Sequence, residues 1–284
     1  MTYRQWIFYA QKKLYLYLHS ENMSESYAKA LLDKATHKSI MLWDLDTQIE
    51  EHTKSILENN IEEIINTDKP LAYIIGSVDF CNATIFVESP ILIPRIETEY
   101  WVWNSIRKLE PALKSFRIAD ICCGTGCIGI AALKQLVNAR CDFYDIEERA
   151  CNLTDRNCAY NNVSERAIII HKDIMHIDFD NKKYDIIFAN PPYISYDDYK
   201  LLDNSVLKWE ASNALTDELD GMKYINFLLE KAYKSLEKDG FMIIELDTKN
   251  AFTIFEFANT LKIYSDVVLV NDQYNTIRAL YVKK

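Results

Sequence analysis

Over the first 68 residues the apolar positions recur at helical spacing. Trp6, Tyr9 and Ala10 are followed by Leu14, Leu16 and Tyr17, and later by Ile56, Ile61, Ile64 and Ile65. That periodicity predicts amphipathic helices. In "SESYAKALLDKA", Ser24 stands ahead of a helical run as its expected N-cap. With neither glycine nor proline to break it, the stretch reads as a small bundle of short helices. The texture then changes. β-rich runs at 73–80 and 84–88, parted by Cys81-Asn82-Ala83, predict a hairpin within a connector spanning 69–95. Pro90 and Pro94 punctuate its end, and a helix begins in "ETEYWVWNSIRKL". From Arg117 onward, near-continuous apolar runs alternate with helical patterns. The runs are 117–123, 140–145, 167–173, 184–190, 241–247, 265–272 and 276–282, and the helical patterns include 127–138, 148–160 and 221–238.

Strands that are apolar on both faces, separated by helices, predict an α/β fold with a parallel sheet covered on both sides. The last two runs lie too close together for a helical crossover and are expected to pair antiparallel. The expected organisation is therefore a helical domain over 1–68, the connector over 69–95, and a large domain over 96–284. That domain carries a seven-stranded, mostly parallel sheet with one reversed strand.

Composition narrows the function. The net charge is −10, and a nucleic-acid surface depends on basic side chains, so no direct nucleic-acid partner is expected. An acidic surface suits a basic protein better. No apolar run reaches the length of a membrane span, and the amino terminus does not have the pattern of a secretion signal. Seven cysteines, an odd number with no CxxC pair, argue against a disulfide framework and fit a reducing cytoplasm. The five histidines lack ligand spacing, so no metal is expected.

Candidate chemistry sits at strand ends. In "ADICCGTGCIGIAAL", a strand carrying Asp120 runs into the turn Cys122-Cys123-Gly124-Thr125-Gly126, and a helix follows at once. Glycines allow close backbone approach, and a helix start offers unpaired N–H groups. The second strand ends at Asp145, where a ribose diol is usually held, and the third at Asp173, placed to accept from an adenine amino group. A single strand-end acid is common on a solvated edge; a row of three points to an adenosine ligand. The fourth strand ends in Asn190-Pro191-Pro192-Tyr193. Neither proline can donate to a ladder. The Asn190 side-chain oxygen and the Pro191 carbonyl can accept both hydrogens of one planar –NH₂ group, against which the Tyr193 ring can pack. Such a grip suits an amide or exocyclic amine, a poor nucleophile that gains most from being positioned.

"ADICCGTGCIGIA", "YDIIFANPPYI" and "KPLAYIIGSVDF…ILIPRIETE" together resemble the protein-glutamine N5-methyltransferases that modify bacterial peptide-chain release factors. The resemblance extends to "WEASNAL" and to the closing "NDQYNTIRALYV". It implies a Rossmann-like methyltransferase domain behind a helical domain that helps recognise the release factor. It also implies S-adenosyl-L-methionine as cofactor, S-adenosyl-L-homocysteine as product, and the glutamine amide of a Gly-Gly-Gln loop as acceptor. Position by position, Cys122 to Gly126 would lie against the cofactor, Asp145 would hold its ribose, and Asp173-Ile174 would meet its adenine. Asn190 to Tyr193 would grip the amide. Three positions depart from the usual pattern: Cys122 replaces a loop glycine, Ile174 an aromatic residue, and Ile96 a proline. Arg95 and Glu97 stand where they could brace the site or form an ordinary surface ion pair. Two other acceptors remain open. Ribosomal protein L3 is modified by the same chemistry, though Ile96-Glu97-Thr98-Glu99 resembles the release-factor enzymes. Adenine-N6 in DNA is supported by the Asn-Pro-Pro-Tyr signal alone.

Overall fold

The computed structural model describes residues 1–37, 44–109 and 114–284. They form two compact units: Met1–Gly76 with Asp203–Trp209, and Ser77–Leu202 with Glu210–Lys284. The first unit is helical, with α1 (Tyr3–Leu18), α2 (Glu21–Thr36), α3 (Glu51–Thr67) and the single-turn α4 (Leu71–Ile75). A capping box starts α1, since Thr2 Oγ1 accepts from Gln5 N while Gln5 Oε1 accepts from Thr2 N. Trp6, Ala10 and Leu14 line one face of α1 and pack with Leu31 and Leu32 of α2 and Leu57, Ile61 and Ile64 of α3. Leu16 and Ile56 lie outside this core, on the solvent side. The N-cap of α2 is Ser20, which accepts from Met23 N. Ser24 is buried one turn further on, donating to Ser20 O at 2.6 Å. Without glycine, the left-handed residues that stop the three long helices are His19, His37 and Asp68.

The second unit opens with the hairpin β1 (Ser77–Phe80) and β2 (Ala83–Phe86), turned by Cys81 and Asn82 at positive φ. It is shorter than the alternation suggested, because residues 71–75 are helical. Then come α5 (Ile96–Arg107), β3 (Arg117–Ile121), α6 (Cys127–Gln135), β4 (Arg140–Asp145), α7 (Glu148–Tyr160), β5 (Ala167–His171) and β6 (Tyr184–Ala189). The chain ends with α8 (Lys223–Lys231), β7 (Leu236–Glu245), α9 (Ala251–Thr260), β8 (Asp266–Asn271) and β9 (Ile277–Lys283). The sheet order is β5-β4-β3-β6-β7-β9-β8, parallel throughout except for β9, which runs against both neighbours. The mostly parallel seven-stranded sheet expected from the sequence is therefore present.

Successive residues of a strand serve opposite layers. Ile118, Ile186 and Phe188 pack under α5, α6 and the hairpin, whereas Ala119, Ile121, Ile187 and Ala189 pack under α8 and α9. This is why the strand sequences are apolar without alternation. Chain order reverses between β3 and β6, so the carboxyl ends of these neighbours flank a topological switch point, where open α/β sheets bind ligands. All seven cysteines, Cys81 to Cys158, are free, and burial pushes the thiol pKa of each one up.

Candidate active site

A cavity of about 560 Å³ lies at that switch point, within the range of small-molecule sites. Its floor is the turn after β3. Cys122, Gly124 and Gly126 all have positive φ (59°, 55° and 77°), so the chain coils tightly before α6 begins. Cys122 thus holds a left-handed conformation that normally favours glycine. Thr154 and Asn157 of α7 hold the turn: Thr154 Oγ1 donates to Gly124 O, and Asn157 Nδ2 donates to Thr125 O and to Phe86 O of the hairpin. A Cβ on Gly126 would strike the Thr154 side chain.

Cys122, Cys123, Gly124, Thr125, Asp145, Asp173, Ile174 and Asn190 all line the cavity, as the strand-end pattern suggested. Gly126 is the N-cap of α6, directly behind them. Asp145 accepts from Gly124 N (2.8 Å) through one oxygen and from Glu147 N (2.9 Å) through the other. Burial pushes its carboxyl above the ordinary range, while these donors pull it back. A carboxylate has about four lone-pair sites, so each oxygen keeps one for a ligand hydroxyl. Asp173 caps its own turn by accepting from Met175 N, and Ile174 beside it offers a buried apolar face.

Asp120 does something different. It lies on the α6 side of β3, fully buried, and is no part of the cavity lining. Its Oδ2 accepts from Gly129 N at 2.8 Å, capping the first turn of α6 from below, while Oδ1 is buried without a partner. Burial raises its pKa to about 7. The sequence placed it in a row of ligand-facing acids. Strand parity puts it on the opposite side of β3 from Ala119 and Ile121, under the helix.

At the far end, Asn190 follows β6, its N–H reaching Ile121 O at 3.3 Å. Asn190 and Pro192 line the cavity; Pro191 and Tyr193 lie outside the lining. Tyr193 Oη donates to Glu245 Oε1 at 2.9 Å, at the end of β7. Arg95 lines the cavity too, but Glu97 is not its partner. One terminal nitrogen of Arg95 donates to both oxygens of buried Glu210, at 2.7 and 2.6 Å. Glu210 and Glu245 went unread in the sequence, although each is an acid set among apolar residues ("KWEASNAL", "FMIIELD"). Pro90, Ile91, Leu92 and Pro94 of the connector and Ala211 to Ala214 complete the walls.

These residues fit S-adenosylmethionine: a diol acceptor at the second strand end, an acid and an apolar face at the third, and a glycine turn between. The fold and site define a class I S-adenosylmethionine-dependent methyltransferase. Residues 105–220 match the family described as Methyltransferase small domain. A release factor glutamine methyltransferase from Flavobacterium psychrophilum is 30% identical over 77% of this chain and 76% of its own. One from Clostridium botulinum is 27% identical over 90% and 91%. A bifunctional methyltransferase from Rickettsia prowazekii is 30% identical over 79% of this chain, which spans only 46% of that longer protein. The solved structure of SMU.776 in complex with SAH shares the fold, with a TM-score of 0.50 at 12% identity over 73% of this chain and 55% of that one. The chain belongs to the release factor glutamine methyltransferase family.

Proposed function

We propose that this protein methylates the side-chain amide nitrogen of the glutamine in the Gly-Gly-Gln motif of peptide-chain release factors. The observation that carries this reading is Asn190, a strand-end amide that opens into the same cavity as Asp145 and the glycine turn. When bound, S-adenosylmethionine supplies a methyl group on a positively charged sulfur and leaves as S-adenosylhomocysteine.

The chain's own residues do the positioning. Asn190 Oδ1 accepts one hydrogen of the incoming –NH₂ group and the Pro191 carbonyl accepts the other, aiming the nitrogen along one line. Because both acceptors engage only the amide hydrogens, the nitrogen keeps its approach to the methyl carbon clear. After the new C–N bond forms, the nitrogen carries one proton too many, and this is lost to water. Asp145 holds the ribose, and Asp173 with Ile174 holds the adenine. The helical first unit serves to recognise the release factor, and the free thiols fit work in a reducing cytoplasm. No helix among the described residues is long and apolar enough to cross a membrane.

The test is transfer of a labelled methyl group to a purified release factor, to the same factor with the Gly-Gly-Gln glutamine changed to alanine, and to ribosomal protein L3. Label on the first alone is the expected result. Label on L3 alone keeps the amide chemistry and moves the substrate; label surviving the glutamine change overturns the assignment.

A further inference from the structure

Tyr193 and Glu245 carry a further inference, which rests on the reading of Asn190 to Tyr193 as an amide site. Glu245 closes β7 and is 1% exposed. Its Oε1 accepts from Tyr193 Oη (2.9 Å), and its Oε2 accepts from Thr98 Oγ1 (2.6 Å) and Trp101 Nε1 (2.8 Å). Among the described residues no cation bonds to it directly. Arg278, which is held by Asp272 Oδ2 at 3.1 Å, only lends its field. A buried carboxylate is expensive unless its lone pairs are used. Here three donors use them, so the place of the acid is explained by the groups it holds.

Its three donors come from two places that border the site. Thr98 lies in the first turn of α5 and itself lines the cavity. The Trp101 ring sits 6.1 Å, centroid to centroid, from Phe188, two residues before Asn190. Tyr193 is the last residue of the amide-binding segment. The single hydroxyl hydrogen of Tyr193 is committed to Glu245, which leaves the tyrosine no proton to donate to a substrate. The bond instead pins the far end of the ring and so fixes the direction of its long axis.

We infer that Glu245 is a positioning residue for methyl transfer: it anchors Tyr193 just behind the cavity lining, so that the Asn190-Pro191-Pro192 segment ending in that tyrosine holds its amide acceptors in a fixed direction. A loose tyrosine would leave the segment, and with it the amide it holds, free to tilt away from the line of attack, and small misplacements of a reacting group are costly to rate.

The experiment is steady-state methylation of a release factor by Tyr193→Phe, Glu245→Leu and the double variant, well below each variant's unfolding temperature. Each single change is expected to lower kcat about tenfold while KM for S-adenosylmethionine stays within about twofold. The double variant should fall no further than the worse single one, because both remove the same anchor. Wild-type kcat in Tyr193→Phe, or losses that multiply in the double variant, would overturn the inference. Tyr193→Phe decides the matter alone if Glu245→Leu does not fold. Asn190→Ala, assayed alongside, separates the two levels: if it still turns over, the amide reading itself fails. If it is inactive while Tyr193→Phe is fully active, only the role given to Glu245 fails.

Discussion

At the end of the cavity lined by Asp145 and Asp173, each carboxylate is held by backbone groups no more than 21 residues away in the chain. Asp145 takes Glu147 N and Gly124 N, and Asp173 takes Met175 N. At the Asn190 end the ties are long. Tyr193 reaches 52 residues to Glu245, Thr98 reaches 147 to the same acid, and Arg95 reaches 115 to Glu210. The Asp145 end is thus tied through short and medium spans of chain, whereas the Asn190 end is assembled only when distant parts of the second unit have come together. Loss of a single partner should act locally at the first and spread at the second.

The sharpest way to break this comparison is Asn190→Ala. It should lower kcat roughly a thousandfold or more while leaving cofactor affinity within a few-fold, as read by turnover and calorimetry on one preparation. Equal damage to both would mean the two ends are not separable. Next in size, Asp145→Ala should weaken S-adenosylmethionine binding about a hundredfold, because two charge-assisted hydrogen bonds are lost. Turnover at saturating cofactor should be much less affected.

Gly221→Ala probes the Asn190–Tyr193 end from behind. Gly221 has φ +83°, and a Cβ there would collide with the Tyr193 carbonyl. Asp217 fixes this loop through Leu219 N, Gly221 N and Lys223 N, so it has little room to yield. A loss of about 2–3 kcal/mol is expected in denaturant unfolding, together with a drop in kcat. Full activity in a destabilised variant would show that Tyr193 tolerates displacement.

The smallest effect is a pH dependence set by Asp120, buried beneath α6. The folded pKa of Asp120 is about 7, against 3.8 for an ordinary aspartate. Between these values the folded state holds a proton that the unfolded state has released, so this group's contribution to stability falls as pH rises from about 4 to about 7. Wild type should therefore lose about 2 kcal/mol relative to Asp120→Asn between pH 5 and pH 8. A constant difference across that range would show that Asp120 is ionised in the fold.

The same contrast explains what was legible in the sequence. The strand runs and the glycine turn could be read because each is set by residues next to it, and the places of Asp145, Asp173 and Asn190 at or just past strand ends follow from the strand runs. The α2 cap was misplaced by one turn, since Ser20 and Ser24 both precede helical positions and only the backbone decides between them. Asp120 was assigned to the ligand because a strand-end acid and a helix-capping acid look alike until parity is followed. Glu245 and Glu210 were missed because their partners lie more than fifty residues away, and the apolar neighbours that mark each acid as buried do not say what it holds.

The cysteines add a last consequence. They fall only between residues 81 and 158, in the part of the chain that builds the hairpin, the glycine turn and the first two parallel strands. Six are buried, and Cys122, the exception, lines the cavity. Thiolates are the reactive form, and these thiols are both shielded and hard to ionise. The rate at which a thiol reagent modifies the native protein is therefore a clock for opening of this region, with Cys122 the first hand to move and the one that bound cofactor should stop.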